Sequence, residues 1–142
     1  MREVTMAERI PAQIADVLAK PNPAVMATVR PDGAPVSVAT WYLWDDGRIL
    51  VNLDGSRKRL EHLRADPRVS LTVLDEDSWY RHISVQGRVT LEPDPDLTGI
   101  DRLARHYTGK PYWKRAGERV NAWLEIESYH TWGYENRTQA TS

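Results

Sequence analysis

Residues 24–53 read AVMATVRPDGAPVSVATWYLWDDGRILVNL, and the alternation in this stretch decides the fold. Ala24 to Val29 is a short apolar run, Arg30-Pro31-Asp32-Gly33 supplies turn chemistry, and Pro35 to Trp44 follows as a second arm. Within that arm Val36, Val38, Thr40 and Tyr42 share one face and Ser37, Ala39, Trp41 and Leu43 the other, so neither face is purely solvent. Asp45-Asp46-Gly47 is a further hairpin signal and leads into Arg48 to Leu53. Arms joined by such short turns pair antiparallel, because a parallel crossover needs about a dozen residues or more.

Toward the C-terminus, Ser56 is placed to cap a short helix carrying Leu60 and Leu63, ended by Asp66-Pro67. Val69, Leu71 and Val73 then alternate with Ser70 and Thr72, and a longer strand is expected from Tyr80 to Leu91. Asp96 to His106 predicts a second helix, opened by Pro95 and Asp96 and closed by Gly109. Ala122 to Tyr134 reads as a last strand rich in aromatics. Toward the N-terminus, Ala7 to Ala19 is amphipathic, with Ile10, Ile14, Val17 and Leu18 on one stripe, Pro11 in the first turn and Pro21-Asn22-Pro23 as the stop. The sum is an α+β, mainly β chain: a six-stranded antiparallel barrel with flanking helices, one domain over residues 1–142 with a loose polar tail at 136–142.

A chain of 142 residues buries a real core but is too short for a separate substrate domain. Nineteen Lys and Arg against twenty Asp and Glu leave a formal charge of -1, so no global field draws the protein to nucleic acid or an anionic membrane, and any anion site is local. With no Cys there is no thiolate chemistry and no disulfide framework. No apolar run approaches the roughly 18 residues of a membrane span, which makes a soluble cytoplasmic protein the expectation. Six Trp and six Tyr with no Phe put polar edges on the aromatic surface, a composition suited to ligand pockets and subunit interfaces.

The sharpest local feature is Asn52-Leu53-Asp54-Gly55-Ser56-Arg57-Lys58-Arg59, where a strand ends, a glycine frees the backbone and three cations follow. Helix N–H groups and fixed positive charge would converge there on one phosphate. The same residues also read as a capped helix with a wet basic face. No Gly-x-x-x-x-Gly-Lys-Ser/Thr loop, Gly-x-Gly-x-x-Gly turn or Gly-x-Ser-x-Gly elbow occurs, and the four histidines lack zinc-site spacing. Nucleotide-loop, hydrolase and zinc chemistry are therefore unsupported.

Taken together, the motifs resemble the pyridoxamine-phosphate-oxidase-like split β-barrel flavin and deazaflavin proteins. Ala27-Thr28-Val29 with Pro31-Asp32-Gly33 and Pro35-Val36-Ser37 looks like that family's first hairpin, and Ser56-Arg57-Lys58 like its cofactor-phosphate motif. Asp66-Pro67-Arg68-Val69-Ser70-Leu71 and Ile83-Ser84-Val85-Gln86-Gly87-Arg88-Val89 look like its next two strands, so the resemblance runs over roughly residues 8–133. It implies that Arg57 and Lys58, in the basic run with Arg59, hold the cofactor phosphate, with Ser56 and Asn52 donating beside them. It places Val36, Val38 and Thr40 along the tricyclic ring and His82 against the cofactor of the neighbouring subunit, so a homodimer is implied.

The last stretch reads Tyr134-Glu135-Asn136-Arg137-Thr138-Gln139 before Ala140-Thr141-Ser142 and does not resemble the Arg-Leu-containing tail of the true oxidases, so vitamin B6 oxidation is not expected. The Arg-Pro-Asp-Gly hairpin and the Arg-Ala-Asp-Pro-Arg helix exit look more like the actinobacterial branch that uses coenzyme F420. The implied activity is hydride transfer between that deazaflavin and a small unsaturated substrate of the enone, quinone or tetrapyrrole type. FMN-dependent oxidoreduction, or a non-catalytic flavin-, deazaflavin- or haem-binding protein, are the alternatives.

Overall fold

Antiparallel pairing runs through the whole chain. The computed structural model describes residues 4–134 and 139–140. Its strands are β1 (Ala24–Val29), β2 (Pro35–Thr40), β3 (Leu43–Asp45), β4 (Arg48–Asp54), β5 (Arg68–Leu74), β6 (His82–Pro93), β7 (Arg119–Trp132) and β8 (Gln139–Ala140). They form one sheet in the order β2-β1-β5-β6-β7-β4-β3, with β8 against β7. Three α-helices flank it: α1 (Ala12–Leu18), α2 (Lys58–Ala65) and α3 (Thr98–Thr108). The fold is the expected mainly β split barrel.

The second arm of the first hairpin departs from expectation. Instead of one strand from Pro35 to Trp44, β2 ends at Thr40 and β3 begins at Leu43, on the opposite edge of the sheet. Three Cα steps of about 3.8 Å join the two edges, so the sheet must curl until they nearly meet. The cause is Tyr42, which is fully buried, donates its hydroxyl to the Leu18 carbonyl at 2.8 Å and accepts from Asn22 Nδ2 at 3.0 Å. Its backbone N–H donates to the Tyr107 hydroxyl at 3.3 Å rather than to a strand. That break, together with β8, raises the six expected strands to eight.

The curled sheet encloses Met26, Ile49, Val51, Leu53, Leu71, Val73, Ile83 and Val85, and α1 closes one end with Ile14 and Leu18. Pro11 divides the expected first helix, since Ile10 before it is extended and only a single 3-10 turn, Ala7–Arg9, precedes it. Alternation along β4 puts Leu50 on the outer face, under Ile100 and Leu103 of α3. Asn52 shares that outer face. At the bulge in β6 a Cβ on Gly87 would lie 1.9 Å from the Glu125 carbonyl oxygen, so only glycine fits. Of the expected tail, Gln139–Ala140 pairs with Tyr129 and His130, and residues 136–138 and 141–142 lie outside the described residues.

Candidate functional site

The end of β4 turns into α2 through Asp54-Gly55-Ser56-Arg57. Asp54 Oδ1 accepts from the Ser56 backbone N–H at 3.0 Å and from its hydroxyl at 2.8 Å, while Oδ2 accepts from Lys114 Nζ at 3.2 Å. These hydrogen bonds, those from Ser56 foremost, hold the Asp54 carboxyl far below the ordinary carboxylate range. Ser56 therefore shapes the turn and does not cap α2, whose N-cap position falls to Arg57. Leu60 and Leu63 anchor the helix in the core. Its opening N–H groups have no partner inside the helix.

Three cations follow from this anchoring. Lys58 is exposed and lies 3.6 Å from Glu61. Arg59 is half-buried, and burial, assisted by the Arg57 charge, pulls its guanidinium below the ordinary arginine value. Its Nη1 is buried without a hydrogen-bond partner among the described residues. A cavity of about 600 Å³ is lined by Arg57, Lys58, Arg59 and Lys114 together with Val36, Val38 and His62, and by Asp54, whose carboxylate is engaged by Ser56 and Lys114. An orphaned cationic donor among other cations is an arrangement that an anion completes.

Arg57 also lines a second cavity of about 690 Å³, which Thr40, Trp41, Tyr107, Tyr112 and Arg119 share. Trp41 stacks on Tyr107 with ring centroids 5.3 Å apart and meets Tyr112 edge-on at 6.2 Å. Tyr107 donates its hydroxyl to the Asn22 carbonyl at 2.6 Å, and burial pushes that hydroxyl up to about 12. Arg119 lies over the Tyr112 ring at 5.0 Å.

Beneath this cavity a polar network joins β4, β7 and α3. Asn52 Nδ2 donates to Asn121 Oδ1 at 2.7 Å and to Asp94 Oδ2 at 3.1 Å, and Asn52 Oδ1 accepts from Arg119 Nε at 2.9 Å. Asp94 caps α3 by accepting from the backbone N–H groups of Gly99 and Ile100, both at 3.0 Å. Asn52 thus has both amide hydrogens engaged within the protein, and its geometry makes it the holder of Arg119.

Of the residues singled out in the sequence, Val36, Val38, Ser56, Arg57, Lys58 and Arg59 line one cavity, and Thr40 and Asn52 line the adjoining one. His82 lines neither. It opens β6 opposite Trp132, with Nδ1 3.2 Å from the Tyr80 carbonyl oxygen. Lys114, Arg119, Tyr107 and Tyr112 escaped the sequence reading, although the basic-aromatic run Lys110-Pro111-Tyr112-Trp113-Lys114-Arg115 carried a signal. No cluster of His, Asp and Glu suited to a metal ion occurs among the described residues, and none of their helices is long and apolar enough to cross a membrane.

Comparison with solved structures gives a consistent neighbourhood. The chain is 28% identical to an F420 reductase, covering 84% of this chain and 98% of that one with a TM-score of 0.77. It is 27% identical to a conserved hypothetical protein from Mycobacterium tuberculosis, over 87% of this chain and 84% of that one, at a TM-score of 0.73. A heme binding protein from Mycobacterium smegmatis, 16% identical with a TM-score of 0.71 over 99% of this chain and 60% of that one, shares the fold. No curated protein matches. The family model described as pyridoxamine 5'-phosphate oxidase matches residues 10–133, nearly the whole curled sheet with its helices, and the chain belongs to that family.

Proposed function

We propose that the protein is an oxidoreductase that binds coenzyme F420 and transfers hydride between it and a small unsaturated substrate. The observation that carries the reading is Arg59, whose buried Nη1 has no hydrogen-bond partner among the described residues and which lines one cavity with Arg57, Lys58, Val36 and Val38. That donor set fits a phosphate next to a flat ring. Arg57, Lys58 and Arg59 hold the phosphate, Ser56 keeps the turn in shape through Asp54, and Val36, Val38 and Thr40 lie along the ring. Likeness to an F420 reductase across most of both chains favours the deazaflavin over FMN.

Hydride chemistry itself belongs to the bound cofactor. The residues of this chain position the ring, exclude water and shape the acceptor cavity, which accounts for a site with no paired catalytic carboxylates. The exposure of β2 on both faces, and of Trp79, Tyr80 and Trp132 near His82, supports a homodimer in which His82 of the partner subunit completes the site. An intracellular, cytoplasmic location accords with this chemistry.

The deciding experiment titrates the purified protein with F420 and with FMN side by side, followed by absorbance and fluorescence. Tighter binding of F420, and consumption of reduced F420 on adding a quinone, is the expected result. Exclusive binding of FMN transfers the reading to a flavin enzyme of the same fold. Binding without consumption across quinone and enone acceptors makes it a carrier.

A further inference from the structure

We propose that the cleft between Trp41, Tyr107, Tyr112 and Arg119 recognises a flat, conjugated carboxylate, and that Arg119 selects its charge. This deepens the oxidoreductase reading by naming the class of its substrate, but the binding it asserts does not require the cofactor. The cleft's volume of about 690 Å³ falls in the range of pockets that enclose a small organic molecule. Its walls are aromatic and apolar, with the Trp41–Tyr107 stack on one side, Tyr112 edge-on to it, and Ile100 and Leu103 behind. Such surfaces favour planar π systems.

The charge preference comes from Arg119. Its side chain is only 9% exposed, yet neither Nη makes a hydrogen bond among the described residues, Nε being fixed by Asn52. The nearest carboxylate oxygen, Asp54 Oδ2, is 3.8 Å from Nη1 and already accepts from Lys114. Nearby carboxylates are engaged elsewhere: Asp94 by Asn52 and the α3 backbone, Glu92 Oε1 by Asn121 Nδ2 at 3.3 Å and Trp123 Nε1 at 2.8 Å, and Asp101 by Arg115 and the Tyr112 backbone N–H. A guanidinium so enclosed, steered by Asn52 and braced on Tyr112, presents its planar fork to a carboxylate arriving through the cleft. The Ser56 to Arg59 cradle contributes only Arg57 to this cleft, so a cofactor phosphate and a substrate carboxylate have separate cations.

The test uses cofactor-free protein, tryptophan fluorescence and two probes with the same ring system, 2-naphthoate and uncharged 2-naphthamide. The unaltered protein is expected to bind naphthoate about ten- to a hundredfold more tightly than the amide, the range of a charge-assisted contact. Arg119→Gln should erase the preference and Trp41→Leu should weaken both probes. In the unaltered protein, the Arg119 Nε–H nuclear resonance should shift with naphthoate and not with the amide, a readout that survives even if a variant fails to fold. Equal affinity for the two probes, no binding of either, an unmoved Arg119 resonance, or a preference that vanishes in Arg57→Gln but persists in Arg119→Gln overturns the inference. F420 titration is scored separately: its failure leaves the naphthoate result standing, and F420 binding without naphthoate preference overturns this inference while leaving the oxidoreductase reading standing.

Discussion

Gly99 and Asn121 approach so closely that a Cβ on Gly99 would lie 2.0 Å from Asn121 Oδ1. The contact seats the first turn of α3 on β7 and keeps Asn121 against Asn52, which in turn holds Arg119. Gly99→Ala is expected to lower stability by about 1–3 kcal/mol, the usual cost of overpacking a tight interior. Urea denaturation measures it. An unchanged midpoint would mean that α3 can lift from β7 at no cost, contrary to the network described.

The cation cradle separates affinity from stability. Arg57→Ala should weaken cofactor binding about ten- to a hundredfold, with little change in the melting temperature of the cofactor-free protein because the side chain is exposed. A dephosphorylated cofactor analogue should bind equally to both proteins. Arg59→Met should act in opposite directions on the two properties: removing a partnerless buried donor stabilises the free protein by up to about 1–3 kcal/mol while cofactor affinity falls. Calorimetry with and without cofactor reads both, and a drop in stability without loss of affinity contradicts the phosphate role.

Alkaline pH should weaken the fold through Tyr107. Its hydroxyl loses its proton near 10 in the unfolded chain but only at about 12 when folded, so the folded state holds the proton more tightly. The resulting stabilisation is complete below pH 10 and declines as pH rises from 10 through 12. Unfolding midpoints at pH 8 to about 11 should fall accordingly, and Tyr107→Phe should flatten part of that decline. Tyr42, Tyr129 and Tyr134, also raised by burial, contribute to the remainder. A decline equally steep in the variant would place the alkaline sensitivity elsewhere.

Assembly is measurable by sedimentation. A site completed by His82 of the partner subunit requires a particle of twice the chain mass, and cofactor binding should weaken on dilution into monomers. Undiminished affinity in a monomer rules out the shared site.

Much of the sheet was legible because its strands are bracketed by local punctuation, such as Arg30-Pro31-Asp32-Gly33 before β2 and Asp45-Asp46-Gly47 before β4. The break at Trp41-Tyr42 was not, because the alternation continues through it and the cause is non-local: Tyr42 bonds Leu18 and Asn22, 24 and 20 residues upstream. Ser56 misled for a local reason, since Asp54 two residues earlier competes for both of its hydrogens. The cradle's Arg57, Lys58 and Arg59 could be read because they are contiguous. Arg119 could not, because only the β4–β7 register, which pairs Asp54 with Arg119, brings it to the site. That register also decides that Asn52 faces Asn121.

The two-residue strap between β2 and β3 bears on how the protein matures. The β1–β2 and β3–β4 hairpins pair neighbours in sequence, whereas Trp41 reaches Tyr107 only across a separation of 66 positions, a range comparable to that of the β4–β7 pairing. Contacts of such long range carry the larger loop-closure entropy and form slowly. Stacking of Trp41 is therefore expected to follow the two hairpins, and a chain that ends before residue 107 lacks the Tyr107 and Tyr112 walls of the cleft.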